Sequence, residues 1–452
     1  MSPRAGGRGL FASRLLRAAA VLSVVSVLWP RPVAAEDILR DTEIENDIRT
    51  LATPIWRVAG LDPGGVGIYV VSDKQLNSFV AGGQAVFINS GLIERAATPN
   101  MLIGVIAHET GHIAGGHILR SLEAVKNASI ETIIAMAAAL GASIAGGNAA
   151  PMIAAAGVGQ AAYMNFSVSQ EATADHAALN YLDRSGQSAR GLLKFFEILQ
   201  ADEPLSGEAT DPWARTHPLT LARIDYIRHH VETSRLADVP DPPRFVELLK
   251  RVQMKLHAFL DDPAVTLRAY PESDSSPDSR YARAIAYYRI PRLDTALATV
   301  DGLIRDFPQN PYYRELKGQM LFENGRVRDA MAPYEAAVKL APDAALMRMS
   351  LAQVYIESND PALNKHAIAY LNDAARVEGR ESMLWRLLAT AYGRDNQLGM
   401  AALSLAEEAL ADAKKKDALQ QAQRAKQLLT RGTPAYERAE EIHHEADQLD
   451  DD

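Results

Sequence analysis

The chain has 452 residues and no cysteine, with 47 basic against 56 acidic residues and a net charge of −9. Without cysteine there is no thiol nucleophile, no disulfide and no lipid-modified cysteine, and the acidic balance argues against nucleic acid or an anionic lipid surface as a bulk electrostatic partner. A chain of this length supports two or three domains, each with its own core.

Arg4, Arg8, Arg14 and Arg17 precede an apolar core from Ala18 to Trp29, and Val33-Ala34-Ala35 supplies small residues ahead of Glu36-Asp37. This order reads as a secretory signal peptide cut after Ala35, its core too short for a comfortable membrane span. An uncleaved anchor is the alternative. Without residues 1–35 the chain holds 42 basic and 56 acidic residues, a net charge of −14. The bacterial periplasm is the expected destination, with membrane association left open.

Two β-branched and aromatic runs follow, Gly67 to Val71 and Ala85 to Asn89, separated by Gly82-Gly83 where a tight turn or bulge is expected. A strand with an open edge can take up an extended peptide as an added strand. Gly82, Gly83, Gln84 and Ala85 are the expected edge. A plain structural hairpin is the other reading.

His108-Glu109-Thr110-Gly111-His112 comes next, after the apolar run Met101 to Ala107. On a helix the two histidines point about 40° apart on one face, roughly 6 Å along the axis, so both imidazoles can share one metal ion. Glu109 stands to the side of that face, where a general base is needed. Zinc proteases that extend this motif take a third histidine six residues after the second. Here that position holds Ile118, and His117 is one residue early. His117 is therefore read as structural or superficial.

From Thr132 to Gln170 no residue is charged. Glycines at 141, 146, 147, 157 and 159 and Pro151 interrupt the run. Buried helices and an apolar loop over the cleft are expected, with peripheral membrane contact or a bilayer hairpin as alternatives. The run ends at Glu171, with Asp175 one helical turn later. Catalytic zinc sites use three protein ligands, so a pair of histidines needs one carboxylate from a separate helix, and Glu171 fits. Asp175 could accept the free ring N–H of a ligating histidine. The competing reading is a solvated helical face.

Thr216-His217-Pro218 and Arg223 complete the series. A neutral imidazole at His217 competes well with water for zinc. Alternatively His217, like Arg223, donates to the oxyanion of a tetrahedral intermediate, or is a plain helix-entry residue before Pro218.

Val239-Pro240-Asp241-Pro242-Pro243 closes this half of the chain, a basic amphipathic helix follows to Leu260, and Pro271 to Pro277 reads as a linker. Small residues then recur at Ala284, Gly318, Ala352 and Ala389, each with Tyr or Leu three positions on, at Tyr287, Leu321, Tyr355 and Tyr392. With Ala296, Ala330, Pro308 and Pro342 they match the 34-residue pattern of tetratricopeptide repeats. An unrelated helical bundle is the alternative.

His108-Glu109-Thr110-Gly111-His112, Glu171-Ala172-Thr173-Ala174-Asp175 and Thr216-His217-Pro218 with Arg223, preceded by Asn77 to Gly83 and Val86 to Leu92, resemble the CAAX-prenyl-protease-like and heat-shock-type zinc metallopeptidases. The resemblance covers roughly residues 40 to 230 and points to the periplasmic branch with C-terminal repeats. It implies an α+β zincin-like metalloprotease domain, mostly helical with a small sheet, followed by an all-α tetratricopeptide-repeat superhelix. The expected segments are 1–35 signal peptide, 36–235 protease, 236–277 linker helix and loop, 278–415 repeats and 416–452 capping helices with an acidic tail. One Zn2+ per chain is implied, held by His108, His112 and Glu171, with Glu109 as base. In that branch the histidine matching His217 can occupy the fourth position and hold the enzyme off. Misfolded or stalled outer-membrane proteins are the implied clients, and the outer-membrane assembly machinery the implied partner of the repeats. A chaperone or adaptor whose zinc site is mostly shut is the second reading.

Overall fold

The computed structural model describes residues 38–81, 83–116, 160–202, 217 and 219–449, with side chains in the helix that begins at residue 160 described from Val168 onward. The expected signal peptide, Gly82, His117, Thr216, Pro218 and most of the uncharged 132–170 stretch lie outside the described residues. Among the described residues, no helix is long and apolar enough to cross a membrane.

Four strands form one sheet in the order β1-β2-β4-β3, with β1 Ile38–Leu39, β2 Gly67–Val71, β3 Ser78–Ala81 and β4 Ala85–Asn89. β2 and β4 are parallel, Gly67 opposite Ala85, and β3 is antiparallel to β4, Ser78 opposite Ile88. Strand side chains alternate between faces. Ile68, Val70, Val80, Val86 and Ile88 accordingly pack into the helical core, while Tyr69, Phe79 and Phe87 pack together on the opposite face.

This topology corrects the expected substrate edge. Ala85 opens β4, an inner strand, and is paired with Gly67 on one side and Ala81 on the other. The Gln84 carbonyl already accepts the Gly67 N–H at 2.9 Å, and Gly83 sits in the turn at φ +95°. The turn folds β3 back onto the outside of β4, so the outer side of Ser78–Ala81 is the edge.

Helix α1, Thr42–Ala59, is capped by the Asp41 side chain accepting from the Ile44 N–H. After the short α2, Ser90–Arg95, helix α3 spans Pro99–Gly115, with Thr98 as its cap and Pro99 in its first turn. Every α3 residue from Pro99 to Ile113 is buried, the apolar Met101–Ala107 run being covered on all sides. Helix α4, Gln160–Arg184, packs on α3, followed by α5, Arg190–Asp202, and α6, Leu221–Thr233.

Helix α7, Pro243–Leu260, sits where a linker helix was expected and joins two cores. Leu248, Leu249, Val252 and Leu256 enter the core of α1 and α3, whereas Met254 and Ala258 pack with Tyr281, Ala284 and Ile285. After the short Pro263–Ala269 helix come five helix pairs. They are Pro277–Tyr288 with Leu293–Asp306, Pro311–Glu323 with Val327–Leu340, Ala345–Glu357 with Pro361–Glu378, Ser382–Arg394 with Leu398–Ala411, and Lys415–Leu428 with Pro434–Asp447. Ala284, Ala352 and Ala389 are buried, the first two within the cores of the repeats. At Gly318 a Cβ would come within 2.5 Å of the Tyr334 ring, so only glycine lets that helix pair close. The last pair occupies the expected capping region, where Ala418, Ala422, Ala439 and Ala446 pack against Ala402 and Ala406.

The first described residues dock onto the repeats. Lys255 Nζ lies 2.8 Å from Asp41 Oδ1 and 3.1 Å from Glu43 Oε2, and the Tyr281 hydroxyl donates to Glu43 Oε2 at 2.9 Å. Arg40 bridges Glu45, Glu378 and Glu381, and Thr42 Oγ1 donates to Glu315.

Candidate metal centre

Helix α3 delivers His108, Glu109 and His112, all buried, to the floor of the site. The crossing of α4 is set by Gly111 inside the motif, because a Cβ there would come within 2.8 Å of the Ala174 carbonyl oxygen. Ala174 at the contact places Glu171 and Asp175, one turn apart, on either side of it. Both carboxylates are buried and face the histidines.

Donor atoms of three residues converge, with each histidine nearest a different oxygen of Glu171. The Nε2 atoms of His108 and His112 are 3.1 Å apart, His108 Nε2 is 3.3 Å from Glu171 Oε2, and His112 Nε2 is 3.2 Å from Glu171 Oε1. A tetrahedrally held divalent ion with bonds of 2.0–2.1 Å spaces its ligand atoms about 3.3 Å apart. The three separations match that edge length, so these residues fit a metal ion. His217 is also present, Nδ1 3.1 Å from both Glu171 oxygens, and one donor atom from each of the four residues lies within 4.8 Å of the others.

The electrostatics agree. Burial opposes charge on His108, yet its hydrogen bonds to Asp175 and Glu171 overturn that and push it up to about 9. Burial, reinforced by His108 and His217, takes His112 down to about 4. Burial works against ionised Glu171 too, but His217, His108 and His112 hold it far below the usual carboxylate range. The buried carboxylates thus draw positive charge into the pocket.

His108 Nδ1 lies 2.9 Å from Asp175 Oδ1, the position of a partner that fixes ring orientation. Arg223 donates through Nε to Asp175 Oδ2 at 2.6 Å and through Nη2 to Asp175 Oδ1 at 2.9 Å, while Nη1 is 3.0 Å from Glu171 Oε2. The expected oxyanion role for Arg223 is therefore corrected: its fork is spent on the two carboxylates, with its guanidinium 5.0 Å over the Phe196 ring. His217 Nε2, by contrast, faces Glu109 at 3.9 Å from Oε1.

One residue had no role assigned from the sequence. The Ser78 hydroxyl donates to Glu109 Oε1 at 2.7 Å. Its only sequence signal is position, two residues before Val80 on the core face of β3.

Residues 39–231 match the model of Peptidase family M48, and residues 281–345 and 315–364 match Tetratricopeptide repeat. The chain is 23% identical to a beta-barrel assembly-enhancing protease of Yersinia pestis over 82% of this chain and 78% of that one. It is 24% identical to the protein of the same name in Escherichia coli K12, over 73% and 69%, and 28% identical to Metalloprotease YcaL of that organism, over 37% and 62%. A solved thermophilic TPR protein of Thermus thermophilus aligns at 19% identity over 37% of this chain and 98% of that one, with a TM-score of 0.25, too low to carry weight. The chain carries a peptidase family M48 domain followed by tetratricopeptide repeats. It is a metallopeptidase.

Proposed function

We propose that this protein is an exported zinc endopeptidase of the periplasm that hydrolyses misfolded or stalled envelope proteins, with its repeats docking clients or the outer-membrane assembly machinery. The mutual 3.1–3.3 Å spacing of His108, His112 and Glu171 carries the metal reading. Two imidazoles and a carboxylate are a donor set suited to zinc. A zinc ion held there would polarise the scissile carbonyl and acidify a water. Glu109 takes that water's proton as the water oxygen bonds to the carbonyl carbon, and returns it to the nitrogen as the C–N bond breaks. His112 and Glu171 hold position, and Asp175, itself gripped by Arg223, orients His108. The client class draws support from the name of the Yersinia and Escherichia relatives, and export from the basic, apolar and small-residue order of residues 1–35. Peripheral membrane contact through 132–170 is part of the same proposal.

A second reading has its own observation. His217 stands inside the donor cluster, 3.1 Å from both Glu171 oxygens, where it can compete for the fourth position and shut the site. The protein would then act mainly as a chaperone or adaptor. Glu109→Gln should keep fold and metal yet lose cleavage of an unfolded substrate by about 10²–10⁴-fold. If cells carrying that variant retain the whole function, the peptidase reading loses. His217→Ala should raise proteolysis if His217 is a switch; a fall would make it an oxyanion donor.

A further inference from the structure

We propose that Ser78 is a positioning residue for the general base, pinning one oxygen of Glu109 so that the other does the work. The proposal rests on the metallopeptidase reading of the site. Ser78 and Glu109 are both fully buried, and the 2.7 Å bond from the Ser78 hydroxyl to Glu109 Oε1 is short, as bonds to a carboxylate are. Glu109 Oε2, equally buried, has no hydrogen-bond partner among the described residues. A buried acceptor left without a partner is costly unless something else is meant to meet it. The two oxygens therefore differ. Oε1 is anchored and Oε2 is left to exchange a proton with the attacking water and the departing amine.

The anchor matters because the last torsion of a glutamate is broad and roughly two-fold. An unanchored carboxylate can turn either oxygen, or its plane, away from the reacting water. Fixing it during folding removes that reorganisation from the reaction itself. The anchor is also non-local. Ser78 faces α3 because β3 pairs Ser78 with Ile88 and because Phe79, its neighbour, stacks on Phe87 at 4.8 Å on the opposite face. A register slip of one residue would turn the hydroxyl away from the base. Since β3 is also the outer strand of the sheet, the strand that an extended substrate would join is the one that holds the base.

The test uses the full metal-loaded chain and unfolded, fluorescently labelled casein. Ser78→Ala should lower kcat about tenfold, with KM within about twofold and metal content unchanged, while Ser78→Thr, which keeps a hydroxyl, should retain most of kcat. A second readout needs no turnover. In a double-mutant cycle of unfolding midpoints, Ser78→Ala should lower the midpoint when Glu109 is present and have little effect in a Glu109→Ala background. Unchanged kcat in Ser78→Ala, loss of metal, or equal midpoint shifts in both backgrounds would overturn the proposal. If Ser78→Ala does not fold, a tenfold loss in Ser78→Thr overturns it and retained kcat supports it. Should the unsubstituted chain show no chelator-sensitive cleavage, the metallopeptidase reading falls and this proposal falls with it; if only Ser78→Ala behaves like the unsubstituted chain, this proposal alone falls.

Discussion

Around His108 and around Lys255 the protein buries ionisable groups to similar depth, but it arranges them in opposite ways. At Lys255 each charge meets its counter-charge: the ammonium lies against Asp41 and Glu43, and Tyr281 donates to Glu43. At His108 side-chain atoms of three residues crowd one point at 3.1–3.3 Å, with Arg223 against Glu171 and Asp175. In the dispersed network at Lys255 the ammonium finds its partners among the protein's own side chains. Around His108 the donor atoms instead converge on one point, as the ligands of a single metal ion do.

The comparison can be broken most directly at Glu171. Glu171→Ala should abolish stoichiometric metal binding and chelator-sensitive cleavage together, as read by elemental analysis and a protease assay. Full metal content in that variant would mean that convergence at this point is not a metal site. The opposite result is expected at the junction. Lys255→Ala strands buried carboxylates and should cost about 3–5 kcal/mol of stability by denaturant titration, with metal content intact.

The smallest effect sharpens the contrast through pH. Burial, and then the neighbouring Glu43, push the Asp47 carboxyl up to about 7 from the ordinary 3.8. The folded state thus holds a proton that the unfolded chain gives up near pH 4. Its contribution is full below that and is lost as pH rises through about 7. Asp47→Asn should therefore raise the unfolding midpoint by a few degrees at pH 7.5 and change it little at pH 4. Equal shifts at both pH values would count against a raised Asp47.

Much of the site was legible because it is local. His108, Glu109 and His112 sit at fixed helical spacing, and Glu171 with Asp175 repeats that logic on a second helix, so each pair's geometry follows from the backbone alone. The β2 and β4 runs were legible for the same reason, as were the small residues of the repeats, whose packing reason is plain at Gly318 against Tyr334. The substrate edge was misplaced because neither Gln84 nor Ala85 records which strand lies beside it. Arg223 was misread because its partners, Asp175 and Glu171, are 48 and 52 residues away in the chain, and only the packing of α6 against α4 aims its fork at them.

By itself, the sequence determined the donor types, their helical spacing, the absence of thiol chemistry and the 34-residue period of the second half. Those are properties of short stretches, governed by backbone periodicity and by what each side chain can do. Tertiary structure alone decided that α4 crosses α3 at Gly111, that β3 rather than β4 is the outer strand, that Ser78 meets Glu109, and that the Arg40 to Glu43 segment is clamped onto the repeats. Each of these depends on which faces meet across long loops, and that is fixed by burying the whole core at once rather than by any neighbouring residue.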